Sequence, residues 1–407
     1  MGTLNQKIAH TFRSLSNRNF RIFFIGQGIS VIGTWMQQVA IGWLIYRLTN
    51  SAIALGFSTF LTQIPALFLS PLAGAYIDKV NKLTIVKVMQ ALMMLLAFTL
   101  AFFTLSNLIT VQLIYILYTI LGICNAIEIP ARQSMFVEML DNKEDLSNAI
   151  ALNSSLFNAA RLLGPSIAGV LLLKISEGVC FLINGISFAA VLISLFMLRL
   201  RPHRTQHDSE PFFQSLKEGF IQVKKNPYIL NSLILLACFS LFGVSFTTIL
   251  PVIAVEIYHG SSSTLGFLMS SLGCGAMIST LYLASRRNMG QIRYIIFYAS
   301  VVFSISLIFF SISSNFALGI IMIFIAGGAM VLQSASTNTL LQITISDEYR
   351  GRVMGLHTFA FRGIMPFGSM IIGFLAEKLT ASISLVACGF VCLIASIMLG
   401  TRLLKSD

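Results

Sequence analysis

The sequence predicts an all-α membrane protein with twelve transmembrane helices in two pseudo-symmetric six-helix bundles. Three observations predict it. Of 407 residues, 56% are hydrophobic and only 10% are charged, where a soluble protein carries about a quarter charged residues. The apolar residues fall into runs of about 20, the length a helix needs to cross the hydrocarbon. One polar element, an arginine followed by proline at i+4 inside an apolar run, occurs at Arg161 and returns at Arg362. A charge at that depth is expensive and rarely lacks a role. Its return at the matching place in the second half indicates an internal repeat, the plan of many secondary transporters.

Other classes fit less well. The net charge of +12 would suggest nucleic acid in a soluble domain, but the basic residues sit in short loops between apolar runs, which is a signature of membrane orientation. No nucleic-acid partner is expected. Cys124, Cys180, Cys238, Cys274, Cys388 and Cys392 all lie in apolar runs, so neither a disulfide framework nor a metal site is expected. No cofactor is expected either. HExxH, GxSxG and P-loop patterns are absent from the sequence, which argues against a membrane enzyme and against direct ATP drive. The polar, basic N-terminus shows no small-residue cleavage site, so no removable signal peptide is expected.

The predicted spans are 20–46, 52–77, 84–105, 109–130, 147–173, 178–199, 228–256, 261–285, 292–312, 315–342, 351–376 and 380–402. The long polar stretch at 200–227 divides the chain into an N-terminal bundle (1–199) and a C-terminal bundle (228–407). Of the 27 Lys and Arg residues, all but five flank one side; Arg47, Lys174 and Lys378 fall on the other, and Arg161 and Arg362 lie within spans. This asymmetry puts both termini and the linker in the cytoplasm.

Taken in order, span one carries Gln27, Thr34 and Gln38 at i, i+7 and i+11, hence on one helical face. These side chains either line a cavity or bond neighbouring helices. Span two runs into Gly74, Asp78, Lys79 and Lys82. There glycine permits close helix approach, and an aspartate can accept from a cation or a helix N-terminus. Span four ends with Glu128 and Arg132 at i, i+4, either a proton carrier beside a cation or a structural ion pair. Span five carries Ser154, Asn158 and Arg161 on one face, followed by Gly164-Pro165, where proline is expected to bend the helix. The linker reads as an amphipathic helix on the membrane, closed by Pro227. Span ten holds Gln333, Ser334, Ser336, Thr337, Asn338 and Thr339, too many polar groups for a lipid-facing helix. In span eleven, His357 precedes Arg362 and is either a proton-linked group or a packed neutral histidine.

The Gly74/Asp78/Lys79/Lys82 run resembles the loop signature between helices two and three of the major facilitator superfamily. With Arg161-Leu-Leu-Gly-Pro and the amphipathic linker, nearly the whole chain resembles its enterobactin-exporter-like branch. The resemblance implies the major facilitator fold, a monomer, export by alternating access, and proton entry as the drive. That branch often carries an aspartate where this chain has Thr34, so a carboxylate on helix one is not expected to take part. Two arginines buried at a cavity favour an anionic small molecule such as a carboxylate siderophore. The expected substrate contacts are Arg161, Arg362, Asn158, Gln27, Gln38, Gln333 and Asn338. Glu128 and His357 are the proton-coupling candidates. Gly74, Asp78, Lys79, Lys82, Arg132, Gly164 and Pro165 are the gating candidates. The expected partners are the substrate, protons and membrane lipid. Multidrug or lysophospholipid transport, or uptake, is the alternative.

Overall fold

The computed structural model describes residues 12–77, 80–200, 212–286 and 290–405. Among them the secondary structure is helical: α1 (Arg18–Thr49), α2 (Ala52–Ile77), α3 (Lys82–Leu105), α4 (Val111–Met135), α5 (Leu146–Leu171), α6 (Glu177–Met197), α7 (Phe212–Lys225), α8 (Pro227–Cys238), α9 (Leu250–Glu256), α10 (Ser262–Ser285), α11 (Ile292–Ile312), α12 (Phe316–Thr344), α13 (Asp347–Thr358), α14 (Met365–Lys378) and α15 (Ala381–Lys405). Eleven stretches among the described residues are long and apolar enough to span a membrane. The predicted fifth span is α5. Its 26 residues reach about 39 Å at 1.5 Å per residue, so length suffices. It falls short in apolarity because Asn148, Asn153, Ser154, Ser155, Asn158, Arg161 and Ser166 lie along it.

The chain forms two compact units, Met1–Ala40 with Phe68–Asp208 and Ile41–Leu67 with Ser209–Asp407. In the first, Phe20 and Phe23 pack edge-on against Phe136, and all three are buried. A short helix at Arg13–Ser16 ties the start of α1 to the start of α5. Arg13 pairs with Asp145 at 3.2 Å, and the Ser14 hydroxyl donates to Asn148 Oδ1 at 2.7 Å. Gly164 brings α5 against the Ile32 carbonyl and Met36 amide of α1.

In the second unit, Phe239, Phe246, Phe303 and Phe310 form a buried aromatic stack. Its loop residue Tyr258 donates to the Phe310 carbonyl at 3.4 Å, and burial pushes its phenol up to about 12. The amphipathic helix α7 is present, but it does not merely lie on the membrane. Its Val223 is buried in one apolar cluster with Leu233, Leu341 and Val353, and Gly219 sits against the Arg352 carbonyl. Burying that apolar side against protein stabilises it more specifically than a lipid surface would, while Phe220 and Ile221 stay exposed.

Two predicted spans change helix type along their length. Span seven passes from α8 through a π turn at Phe239–Gly243 and a 3-10 turn at Val244–Ile249 into α9. Span eleven passes from α13 through a π turn at Phe359–Gly363 into α14. Such turns disturb the i→i−4 ladder, and a freed carbonyl in an apolar interior needs another donor. The Ser240 hydroxyl donates to the Phe361 carbonyl. The Ser245 hydroxyl donates to the Ser240 carbonyl at 2.8 Å and reaches the Met365 carbonyl at 3.5 Å. Both serines are fully buried, so the two spans are sewn to each other at their irregular turns.

Residues 41–67 join this unit through a polar and glycine-lined seam. Tyr46 donates to Glu256 at 3.1 Å. Glu377 Oε2 accepts from the Ser51 hydroxyl at 2.9 Å and from the Ala52 and Ile53 amides at 2.7 and 3.3 Å. That carboxylate caps the N-terminus of α2, where orphan amides and the helix dipole favour an anion. Gly56 and Gly373 then let α2 and α14 meet backbone to backbone.

Removing the suture has a predictable cost. Ser240→Ala leaves the Phe361 carbonyl without its donor, and a buried polar group left unpaired costs about 1–3 kcal/mol. A fall of that size in denaturant stability in detergent is expected, whereas an exposed control such as Ser154→Ala should be neutral.

Candidate functional site

The polar face of the first unit is built on α5 and α1. Gly164 has no side chain to hold α5 away from α1, so the two helices close at Ile32–Met36. One turn earlier, the Arg161 guanidinium lies over the Trp35 ring, 5.2 Å from its centroid. A cation on an indole face is stabilised by the ring quadrupole, more so when desolvated. Arg161 and Trp35 are both half-buried, Asn158 likewise, and Ser154 is exposed. On α1, Thr34 and Gln38 are exposed, whereas Gln27, on the same helical face, is buried at 4% exposure. Of the expected α1 contacts, only Gln38 therefore remains accessible. Gln27 faces the packed end of the helix, which a helical period cannot distinguish from the open end. The α-helix continues through Pro165, whereas the corresponding span of the second unit changes to a π turn just before Pro366.

Glu128 is nearly fully buried and doubly bonded. Arg132 Nε donates to its Oε1 at 2.8 Å and Gln90 Nε2 to the same oxygen at 3.0 Å. Arg132 also lies over Phe157, 5.2 Å from the ring centroid. The i, i+4 ion pair is thus formed, with Gln90 as a partner the sequence did not reveal. A second buried network was also missed. Asn184 donates to Gln37 Oε1 at 2.7 Å, Gln37 lies 3.5 Å from the Tyr118 hydroxyl, and the Ser187 hydroxyl donates to Asn184 Oδ1 at 3.0 Å. Gln37 is next to Gln38 in sequence but points the opposite way, into the interior. The polar periodicity of α1 could have separated them.

In the second unit, Arg362 lies within the π turn and is exposed. Neither repeated arginine is deeply buried, contrary to expectation, because each extends from its helix toward an accessible face. Gln333 is 1% exposed, and among the described residues its amide nitrogen has no hydrogen-bond partner; the same holds for the fully buried hydroxyls of Ser336 and Thr337. Gln333 is therefore not a surface contact. Asn338 is half-buried and accepts from Gln342 at 2.5 Å. His357 is buried and bonds the Ser334 backbone, while among the described residues its Nε2 has no hydrogen-bond partner.

Among the gating candidates, Lys82 does not extend to a headgroup layer. It is buried in an ion pair with Glu138 at 3.1 Å, because Asn81 caps α3 and turns the lysine inward. Gly74 lies in α2. Asp78 and Lys79 lie outside the described residues. Gly164 acts as a contact point between helices, as described above.

Residues 9–406 match the family described as transmembrane secretion effector. The chain belongs to that family, within the major facilitator superfamily. It is 26% identical over 362 residues to a staphyloferrin A transporter of Staphylococcus aureus, covering 88% of this chain and 89% of that one. It is 21% identical over 365 residues to macrolide efflux protein A of Streptococcus pyogenes, covering 88% and 90%. Among solved structures, the nucleoside transporter NupG superposes with a TM-score of 0.75 at 12% identity, covering 96% of this chain and 100% of that one. A bacterial homolog of the human lysosomal transporter Spinster gives 0.74 at 12% identity, covering 94% and 96%. These two likenesses establish the fold. The protein is a multi-pass membrane transporter of a small molecule and not an enzyme.

The Glu128 ion pair yields a double-variant test. Arg132→Leu strands a buried carboxylate and should cost about 3–5 kcal/mol. Adding Glu128→Leu removes the stranded charge, and most of that stability should return. Denaturant titration of the purified single and double variants in detergent measures both.

Proposed function

We propose that this transporter exports a small anionic molecule of the carboxylate-siderophore class across the bacterial inner membrane, by alternating access and in exchange for protons. The observation that carries the reading is Arg161 on Trp35, set among Asn158, Ser154, Thr34 and Gln38 on an accessible polar face. A guanidinium on an aromatic shelf offers charge and planar hydrogen bonding to a carboxylate, and apolar area to the rest of the molecule. Arg362 supplies a second exposed cation at a π turn, and π turns inside helices often mark functional sites. The name of the macrolide efflux relative supports outward movement, and that of the staphyloferrin A transporter supports a small-molecule substrate. Two six-helix halves, 1–199 and 228–407, with both termini cytoplasmic, are part of the same reading.

Between the two proton-coupling candidates, the geometry favours His357. Glu128 is held by a cation and an amide, the arrangement of a brace. Among the described residues His357 keeps one ring nitrogen without a hydrogen-bond partner, and imidazole is the side chain whose charge changes most readily near neutral pH. The macrolide relative favours a second reading, multidrug export of an amphiphile, in which Trp35 matters more than Arg161.

Proteoliposomes with an imposed pH gradient separate these readings. An iron-free carboxylate siderophore should trigger proton movement in the wild type. Arg161→Ala should lower that response at least tenfold, since loss of a charge-assisted bond costs about 1.5–3 kcal/mol. His357→Gln should bind the siderophore but uncouple its flux from protons, while Glu128→Gln should stay coupled. A cationic dye that moves protons equally in wild type and Arg161→Ala would replace this reading with the multidrug one.

A further inference from the structure

A groove of about 570 Å³ opens on the second unit between α10, α11 and α12. Glycine packing creates it. Gly275 faces the Phe324 carbonyl, Gly327 faces the Leu272 carbonyl, and Gly328 lies against Ser279. There α10 and α12 meet backbone to backbone, and helices that touch at one level diverge away from it. The walls of the gap are apolar, with Ile278, Val302, Phe324 and Leu332 among them.

One end of the groove is different. Arg286 follows the last residue of α10, and Gln291 precedes the first residue of α11; both line the groove beside Tyr282 and Tyr294. The Arg286 guanidinium lies over the Tyr282 ring, 5.7 Å from its centroid. Among the described residues no acidic side chain pairs with it. Tyr282, Tyr294 and Tyr298 are about half exposed, as aromatic residues at a membrane–water boundary are. This end lies on the side where Lys and Arg collect.

We propose that this groove binds an anionic phospholipid from the leaflet on that side. The phosphate bonds Arg286 and the Gln291 amide, and one acyl chain runs along Ile278, Val302 and Leu332. Charge complementarity selects this occupant: basic pockets between spans at a cytoplasmic surface take anionic headgroups, and a membrane-facing apolar channel suits an acyl chain. The site lies on helices other than those that carry Arg161, so its test is independent of the substrate reading.

Native mass spectrometry of the full-length protein from mixed phosphatidylethanolamine–phosphatidylglycerol vesicles tests it. The wild type should retain phosphatidylglycerol in excess of its share of the vesicle. Arg286→Gln should reduce retention about fivefold, the equivalent of one basic residue at a membrane surface, and Arg286→Lys should keep most of it. Ile278→Trp, which fills the groove from an exposed position, should remove the bound lipid even with Arg286 intact. Equal retention by wild type and Arg286→Gln overturns the proposal, as does equal retention of the two phospholipids. Displacement of phosphatidylglycerol by a transported amphiphile also overturns it and makes the groove a substrate path.

Discussion

A backbone polar group in hydrocarbon must find its partner within the protein, and much of this structure follows from that constraint. It makes every described span helical. It also explains the serine and threonine hydroxyls along the spans, many of which return to a carbonyl of their own helix, as Thr62 does to Ser58 and Ser304 does to Ser300. Where the ladder opens, at Phe239–Gly243 and Phe359–Gly363, Ser240 and Ser245 supply the missing donors. Where a carboxylate enters the interior, at Glu128, an arginine and an amide converge on it.

Glycine decides where helices can approach. Gly164 draws α5 onto α1 and so delivers Arg161 to Trp35. Gly56 and Gly373 join α2 to α14 beside the Glu377 cap. Gly275, Gly327 and Gly328 join α10 to α12 and leave the groove beneath α11. Without a strong hydrophobic drive between helices in lipid, such close packing and the polar contacts beside it carry much of the association. The same residues therefore set both stability and the geometry of sites.

The two units use the repeated Arg-Pro element differently. In α5 the helix runs through Pro165 and the arginine rests on an aromatic ring. In the second unit the turn before Pro366 is wide, and the arginine lies inside it. A shared sequence element thus supports a rigid, stacked cation on one side and a cation on an irregular backbone on the other.

The sequence by itself determined the order and approximate position of the helical spans, because apolar length and charged flanks are local properties measured along the chain. It also determined the family and pointed to Arg161, Glu128 and Arg132, since a charge inside an apolar run is conspicuous without neighbours. Only the tertiary structure decided which polar residues are accessible. Gln27 and Gln38 share a helical face, yet the first is buried and the second exposed, because depth along a helix is set by what packs there. Lys82 turned inward to Glu138, α7 docked on protein, and spans seven and eleven changed helix type where Ser240 meets Phe361. Each of these depends on a partner more than fifty residues away, and residue type and spacing carry no information about such a partner.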